Sequence, residues 1–523
     1  MSPFRSNRNA ARAIALVTTA ALLLGCQSWR TRPLNPAEFA PGQAPRLVRI
    51  TTTDGKTYYV DNPIVIADSL IAHRRGVRES EARFAVMLDQ VRQVAVLRVD
   101  AGKTIALITG VGALVIVAAA IAAGSSDWGW SGGGSSGGSG SCDACYSCPL
   151  IYSWDGHDWR LDSGTFGGAI AEALARTDVD NLMFARPADG RLRLRLVNEL
   201  NETDYVDALR VLAVDHDPGV SVAPDGAGGL HSFGTVTEPI RATDYRGTDV
   251  LARVRAVDGW NWESVPTGRD TSRAADLRDG VVLTFVRPHG SSAARLVLDA
   301  NNTPWAAAML GQFVQAHGAG TAAWYDSLNR SPALARGLGA RLAQEAVLSV
   351  AVETQTGWRP QGLVWEAGPE VIKRQIMRLD LSGVTGDTVR VRLDAPVAFW
   401  SIDRVAIDYG PERPLRVTEL RADSAVTFTG ADVRALLDSI DGGTFRMETG
   451  DGAIVSFVVP APTAGQARSY LVRSSGWYRI HTSTAGAADE ALLARVATEP
   501  GAISKFSVAQ LNVALARLQA RSR

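Results

Sequence analysis

Residues 142–159 read CDACYSCPLIYSWDGHDW, in which three evenly spaced cysteines precede the pattern of a β-hairpin. The run from Pro149 to Trp154 is mostly apolar, and Asp155-Gly156 is a dipeptide typical of tight hairpin turns. Because a Gly/Ser-rich segment comes directly before this hairpin, we predict that it opens the main folded body of the chain, residues 142–483.

Strand-like patterns recur through this body. In residues 191–197 three arginines alternate with three leucines, which predicts a strand with one buried face. Helical patterns interrupt the strands between Pro304 and Ala346 and at 430–440, and C-terminal helices are predicted in 484–523, the last beginning at Ser507. The predicted fold class is therefore mainly β, a large β-sandwich body with helical insertions and C-terminal helices.

Composition narrows the class of protein. The chain has 523 residues, enough for several domains, with 54 basic and 54 acidic side chains, so no overall field attracts nucleic acid. Four cysteines in this length exclude a disulfide-stapled mini-protein. No phosphate-binding loop, dinucleotide fingerprint or metalloprotease motif occurs, and we expect no cofactor.

The first 25 residues are typical of a bacterial export signal. Arg5, Arg8 and Arg12 precede an apolar run that ends in Leu-Leu-Gly directly before Cys26. This ending resembles the lipobox of bacterial lipoproteins, in which the cysteine is acylated and becomes the new amino terminus. Gln27, which follows it, implies sorting to the outer membrane under the best-known bacterial rule.

Four further segments lead to the body. Residues 26–46 contain four prolines and are predicted to be a tether. Residues 47–100 alternate short β patterns with turns, which predicts a small SH3-like barrel. Residues 104–124 carry no charge and are long enough for a transmembrane helix. The alternative is a helix that dips into the membrane or self-associates, which would keep the body on the exported side. Residues 125–141 are a Gly/Ser linker.

The cysteine cluster has three interpretations. In an exported protein a local disulfide is the first, and it leaves one thiol over. A zinc site would use Cys142, Cys145 and Cys148, with His157 as the nearest fourth ligand. Free or intermolecular thiols are the third, and none of the three implies catalysis.

Other candidate groups have structural alternatives. Asp-rich groups around His157 and His216 look like metal or acid–base clusters, but both lie beside turn residues, where aspartate is common for backbone reasons. Trp260 and Trp262 would share one side of an extended strand and could stack on sugars. In a chain of this size, most tryptophans are expected in the core instead.

Several segments of the body are similar to an uncharacterised group of bacterial envelope proteins. They are CPLIYSWDG at 148–156, FGGAI at 166–170, NEL at 198–200, AVDH at 213–216 and FWSIDRVAID at 399–408. The resemblance spans roughly residues 148–481, and it implies an envelope location without any known activity. The barrel and helix at 47–124 resemble a front end that recurs in such lipoproteins.

These features predict a membrane-anchored envelope lipoprotein whose body binds or scaffolds a partner, protein or glycan, without catalysis. The rival is an envelope enzyme that acts on glycans through carboxylates on sandwich loops. Carboxylates around a concave site would favour the enzyme, whereas a solvent-exposed row of aromatic rings would favour binding.

Replacement of Cys26 by alanine tests the lipid anchor. The wild-type protein should incorporate a labelled fatty acid in growing cells, because its lipobox cysteine is acylated, and Cys26→Ala should carry none. Autoradiography of the immunoprecipitated protein measures the label. Label retained on the variant would contradict lipidation at this residue.

Overall fold

A computed structural model describes residues 27–32, 47–53, 57–66, 69–74, 83–99 and 149–521, apart from 366, 483 and 484. The chain divides into two compact units, Met1–Gly112 and Ala113–Arg523. The predicted signal peptide, the segment 104–124, the linker and all four cysteines lie outside the described residues. Among the residues that are described, no helix combines the length and apolar character needed to cross a bilayer.

The first unit contains one antiparallel sheet. Its strands are β1 (Gln27–Arg32), β2 (Leu47–Thr52), β3 (Thr57–Ile66), β4 (Ser69–Arg74), β5 (Arg83–Met87) and β6 (Val91–Val99). They follow the order β1-β6-β2-β3-β4-β5 around a core that includes Val48, Ile50, Val60 and Val94. Strand β1 falls within the predicted tether, where it pairs with β6. The SH3-like closure of this sheet stays a prediction.

In its described part, the second unit contains twenty-one further strands. They are β7 (Leu150–Trp154), β8 (Trp159–Gly164), β9 (Arg176–Asn181), β10 (Arg191–Val197), β11 (Glu202–His216), β12 (Ser221–Pro224), β13 (Leu230–Phe233), β14 (Arg241–Asp244), β15 (Trp262–Glu263), β16 (Arg278–Val286), β17 (Ala293–Asn302), β18 (Leu348–Thr354), β19 (Gly357–Val364), β20 (Lys373–Asp380), β21 (Thr388–Pro396), β22 (Trp400–Asp408), β23 (Arg416–Leu420), β24 (Ser424–Thr427), β25 (Phe445–Met447), β26 (Gly452–Val458) and β27 (Ala467–Ile480).

Five α-helices accompany these strands in the described part of the second unit. They are α1 (Pro304–Gln315), α2 (Thr321–Arg330), α3 (Pro332–Glu345), α4 (Glu490–Thr498) and α5 (Ala502–Arg521). With 43% of residues in strands and 21% in helices, the predicted mainly β class is confirmed.

Two β-sandwiches make up the body. In the first sandwich, sheet 2 (β24-β26-β10-β7-β8) packs on sheet 3 (β23-β11-β27-β9, with β25 beside β11) around one apolar core. In the second, sheet 4 (β15-β22-β17-β20) packs on sheet 5 (β14-β16-β21-β18-β19) around another. The second sandwich is inserted between β13 and β23 of the first, so the chain leaves the first sandwich and later returns to it.

A small hairpin separates the two sandwiches. One face of β12–β13 packs through Val222 on the outer face of sheet 3, against Leu212 and Leu471. Its other face packs through Phe233 on the outer face of sheet 4, against Val297. The layers therefore stack in the order sheet 2, sheet 3, hairpin, sheet 4 and sheet 5.

The helical insertion lies where its sequence pattern predicts it. Thr303 and Ser331 cap α1 and α3, each followed by a proline at the first helical position, which is a strong local start signal. Trp305 of α1 packs in the core of the second sandwich, whereas Val314 of the same helix packs in that of the first. The insertion thus bridges the two cores.

Two predicted helix boundaries are wrong. Residues 430–440 form only a 3-10 turn at Arg434–Leu437, because short bridges from Asp432 to Val426 and from Asp438 to Ala208 engage the backbone at both ends. The last helix begins at Ala502 and not at Ser507. Its amino-terminal turn is capped by the carboxylate of Glu345, which accepts hydrogen bonds from the N–H groups of Gly501 and Ile503 (both 2.9 Å).

A buried ion cluster joins the sandwiches. Lys373 Nζ of β20 lies 2.9 Å from Asp180 Oδ2 and 3.8 Å from Asp178 Oδ2, both on β9. All three side chains are at least nine-tenths buried. Burial opposes ionisation of Asp178, yet the charges of Arg176 and Lys373 lower its pKa, whereas burial raises the pKa of Asp180.

Removal of Lys373 should weaken the junction. Lys373→Met leaves Asp180 buried without its cation, and we expect the free energy of unfolding to fall by about 3–5 kcal/mol. Urea denaturation measures it. The matched control is Arg378→Met on the same strand, which breaks an exposed ion pair with Glu412 and should cost about 1 kcal/mol or less. Equal losses from both variants would show that the cluster does not hold the sandwiches together.

Candidate functional site

The outward face of sheet 2 carries aromatic rings and arginines side by side. Tyr152 and Trp154 alternate with core-facing residues on β7, and Trp159 lies opposite Trp154 on β8. Arg193 and Arg195 alternate with buried leucines on β10, as predicted. All of these side chains are partly exposed. We call this surface the aromatic–arginine face, defined by Tyr152, Trp154, Trp159, Arg193, Arg195 and Phe428.

Ring contacts hold the face together. Strand pairing sets Arg195 opposite Tyr152. The guanidinium carbon of Arg195 lies 5.6 Å from the centre of the Tyr152 ring and 5.1 Å from that of Phe428, within the range of cation–π attraction. Trp154 and Trp159 meet edge to face with centroids 5.4 Å apart. The rings therefore lie in the sheet face as a fixed set.

Two arginines of this face have no carboxylate partner. The neighbouring Arg191 forms an ion pair with Asp423. Among the described residues, neither Arg193 nor Arg195 forms an ion pair, and Nε of Arg195 is buried without a hydrogen-bond partner. Guanidinium groups bind carboxylates and phosphates through paired, charge-assisted hydrogen bonds. This end of the face is thus chemically suited to an anion.

The other end of the face is acidic. Tyr152 Oη donates a hydrogen bond to Glu199 Oε2 (2.9 Å). Burial is the main cause that raises the pKa of Tyr152 to about 12, and this hydrogen bond adds to it. Glu370, from the loop between β19 and β20, is exposed overall. Neighbouring atoms still desolvate its carboxyl group and, together with Glu199, raise its pKa. Two loop carboxyl groups therefore flank the rings.

His157 and its neighbours form the turn between β7 and β8. Oδ1 of Asp155 accepts hydrogen bonds from the N–H groups of His157 (2.9 Å) and Asp158 (2.8 Å), and the His157 side chain is exposed. Within the described ranges, no group of three or more His, Cys, Asp or Glu side chains is arranged to hold a metal. The cysteine candidates Cys142, Cys145 and Cys148 lie outside those ranges, so the zinc and disulfide hypotheses stay predictions.

The group around His216 is structural. Asp215 pairs with Arg468, whose hydrogen bonds hold the pKa of that carboxyl well below its usual range. His216 Nε2 lies 2.9 Å from Ser469 Oγ. The two neighbouring side chains therefore engage different partners, as adjacent residues of a strand do.

Of the two interpretations of Trp260 and Trp262, the core position holds for Trp262, and the two rings form no stacking platform. Trp262 is 3% exposed and belongs to the core of the second sandwich. Trp260 is 36% exposed and lies under the guanidinium of Arg253, at 5.4 Å. The two rings do not share an exposed surface, because the strand that begins at Trp262 has only two residues and Trp260 lies in the preceding turn.

Asp403 is a buried carboxyl group with a raised pKa. It is the extra residue of a β-bulge in β22. Its neighbours Ile402 and Arg404 pair with Ala300 and Asp299, which are adjacent on β17. Its Oδ1 accepts a hydrogen bond from Gly259 N (3.1 Å). Burial, together with Asp258 and Asp299, raises its pKa to about 6. With no exposed surface, it positions a loop and cannot reach a large substrate.

The functional residues that sequence reasoning missed come together from distant segments. The alternation of residues 191–197 indicated that Arg193 and Arg195 face outward, but nothing placed them beside Tyr152. Phe428 and Glu370 are more than 200 residues away from Tyr152 along the chain. Only strand pairing brings these groups to one face.

Replacement of Asp403 by asparagine should stabilise the protein at neutral pH. The pKa of Asp403 is raised in the folded state, which means that folding favours its protonated form. The stability that the protonated carboxyl group contributes is complete below about pH 4 and is lost as the pH rises through about 6. A rise of this size corresponds to about 3 kcal/mol, an upper bound for the gain at pH 7.5. Urea unfolding at pH 7.5 and pH 4 measures the difference. A gain in stability that does not shrink at pH 4 would contradict this account.

No family model matches the chain, and no curated protein was found to be similar to it. What the body can bind is therefore inferred from its own residues. The aromatic–arginine face is a surface on which rings, loop carboxyl groups and two arginines without an ion pair among the described residues meet.

Proposed function

We propose that the chain is a membrane-anchored lipoprotein of the bacterial envelope, sorted to the outer membrane, whose body binds an acidic glycan without catalysis. The observation that carries this proposal is that Arg193 and Arg195 form no ion pair among the described residues, while Arg195 lies over the rings of Tyr152 and Phe428 on one sheet face. The anchor rests on the export signal and the lipobox at Cys26. The hydrophobic segment 104–124 supplies a second membrane contact in this proposal.

The chemistry of the face favours a sugar chain. The apolar faces of pyranose rings stack on flat aromatic side chains, and Tyr152, Trp154 and Trp159 present such surfaces without a deep cavity. Side chains two residues apart on a strand are separated by about 7 Å, so Arg193 and Arg195 are spaced to meet acidic groups on neighbouring sugars. Carboxylates of uronic acids suit their paired donors.

Other macromolecules fit the face less well. An extended peptide binds a sheet by adding to a free edge, but β10 and β7 are central strands whose ladders are complete on both sides. Insertion into a membrane needs several apolar side chains that protrude, whereas Tyr152, Trp154 and Trp159 lie partly buried and only Phe428 of these rings is exposed. Recognition therefore depends on side-chain stacking and charge.

Glu199 and Glu370 support a second candidate, an envelope enzyme that hydrolyses glycans. Glycosidases use two carboxyl groups, one of which keeps its proton near neutral pH. The raised pKa of Glu370 suits the proton donor, and Glu199, hydrogen-bonded to Tyr152, suits the second carboxylate. Both lie on loops at the end of the aromatic–arginine face.

Binding to immobilised polygalacturonate tests the first candidate. The full-length protein in lipid nanodiscs should bind this acidic glycan and should bind neutral dextran at least tenfold more weakly. Arg193→Gln and Arg195→Gln should each weaken the affinity about tenfold, because each removes a charge-assisted contact worth about 1.5–3 kcal/mol. The exposed Arg336→Gln on α3 is the matched control and should bind like the wild type.

Two results would overturn this assignment. Unchanged affinity in both arginine variants would place the binding elsewhere, and equal binding of polyglutamate would make the surface a general receptor for acidic polymers. An assay of reducing ends decides between the two candidates. Chain cleavage by the wild type that is lost in Glu370→Gln, with binding retained, would favour the enzyme.

A further inference from the structure

An apolar cavity of about 70 Å³ lies where the helices meet the two sandwiches. Helix α1 lines it with Met309, Leu310 and Phe313. Phe506 of α5 and Phe399, just before β22, close other sides. These walls come from both sandwiches, from a helix in the middle of the body sequence and from helices near the end of the chain, so the cavity exists only when these parts are assembled.

The polar groups of the cavity are already engaged. Asn302 Oδ1 accepts hydrogen bonds from Ala367 N (2.8 Å) and Gly368 N (3.2 Å). Tyr478 Oη accepts one from Gly168 N (3.2 Å). A water molecule needs two to four polar partners to be held in a cavity, whereas apolar cavities stay dry and take apolar molecules. This cavity is therefore suited to an uncharged hydrocarbon group.

A second cavity, of about 260 Å³ and with a mixed polar and apolar lining, adjoins the first. The two share Gly168 and Leu342 in their walls. Arg176 and Asp178, paired at 2.7 Å, form the polar part of this second cavity, and the partly exposed Trp365 also lines it. An apolar chamber beside a larger one that contains an ion pair is the arrangement that a small amphipathic molecule requires.

A strained backbone segment leads to Gly168, which lines both chambers. Phe166 is fully buried and adopts a φ of 67°, which is unfavourable for a residue with a large side chain. Gly168, two residues later, has a φ of 79°. Hydrogen bonds from Phe166 N to Asp178 Oδ2 (2.9 Å) and from Tyr478 N to Ala169 O (2.9 Å) hold this segment. Strain of this kind persists where the surroundings impose it, and it is frequent at ligand sites.

We infer that the paired chambers bind a small amphipathic molecule, with its apolar end in the chamber beside α1 and its polar end beside Arg176. A single water-sized group takes about 10–15 Å³ by this measure, so the apolar chamber holds about five such groups. That is the size of a short alkyl chain of about six carbons or of one aromatic ring. The site uses none of the residues of the aromatic–arginine face and does not depend on the proposed function.

Photoaffinity labelling of the full-length protein in nanodiscs tests the inference. The probe is a six-carbon alcohol with a diazirine on its chain, which loses dinitrogen on irradiation and inserts the resulting carbene into a nearby C–H bond. Mass spectrometry should locate the label on residues of α1 and α5, and excess n-hexanol should reduce the labelling at least tenfold.

Variants that fill the apolar chamber test whether the probe binds there. Ala306→Leu projects three further carbons into the apolar chamber and should reduce the labelling at least tenfold. Ala322→Leu, at an exposed position of α2, is the matched control and should label like the wild type. Met309→Phe serves as a second filling variant should Ala306→Leu fail to fold, as judged by circular dichroism.

Each alternative result overturns the inference. Labelling that n-hexanol does not reduce would mean that the probe marks the surface or the lipid. Equal labelling of a folded filling variant and the wild type would place the bound probe elsewhere. Absence of labelling, with higher thermal stability in Ala306→Leu, would show that the chamber is only a packing defect.

Discussion

The contact between Lys373 and the two aspartates of β9 is the constraint on which the rest of the body depends. The outer faces of sheets 3 and 4 pack on the β12–β13 hairpin through apolar side chains, and helix α1 packs in both cores. A buried cation with two carboxylates is stable in one relative position of β9 and β20, because any shift leaves a buried charge unpaired. This requirement sets the register of the whole stack.

The packing of the helical insertion depends on this relative position of the two sandwiches. Since α1 contributes Trp305 to one core and Val314 to the other, it can pack well only when the sandwiches are held in place. The apolar chamber then arises at a junction of three kinds of element, where close packing is hardest to achieve. The aromatic–arginine face lies on the opposite side of the first sandwich, on sheet 2. The body thus separates a surface suited to a polymer from an interior suited to a small molecule.

Some of this organisation was predictable from local sequence. The alternation in residues 191–197 predicts which side chains point outward, and the Thr303-Pro304 and Ser331-Pro332 pairs mark helix starts, because period and capping are local properties. The start of α5 was predicted wrongly because its cap, Glu345, comes from another helix. For Trp260 and Trp262, alternation left both a stacking platform and a core position open, because it does not show where a strand begins or ends.

The sequence by itself determined the mainly β class, the helical insertion, the exposed face of β10 and the hairpin that carries Tyr152 and Trp154, since each depends on residues a few positions apart. Tertiary structure alone decided that there are two sandwiches, that Phe428 and Glu370 lie beside that hairpin, and that glycines, helices and Phe399 enclose a chamber. The physical reason is that these contacts join residues hundreds of positions apart. Their proximity depends on strand pairing and on a buried ion cluster, and neither can be predicted from a short stretch of sequence.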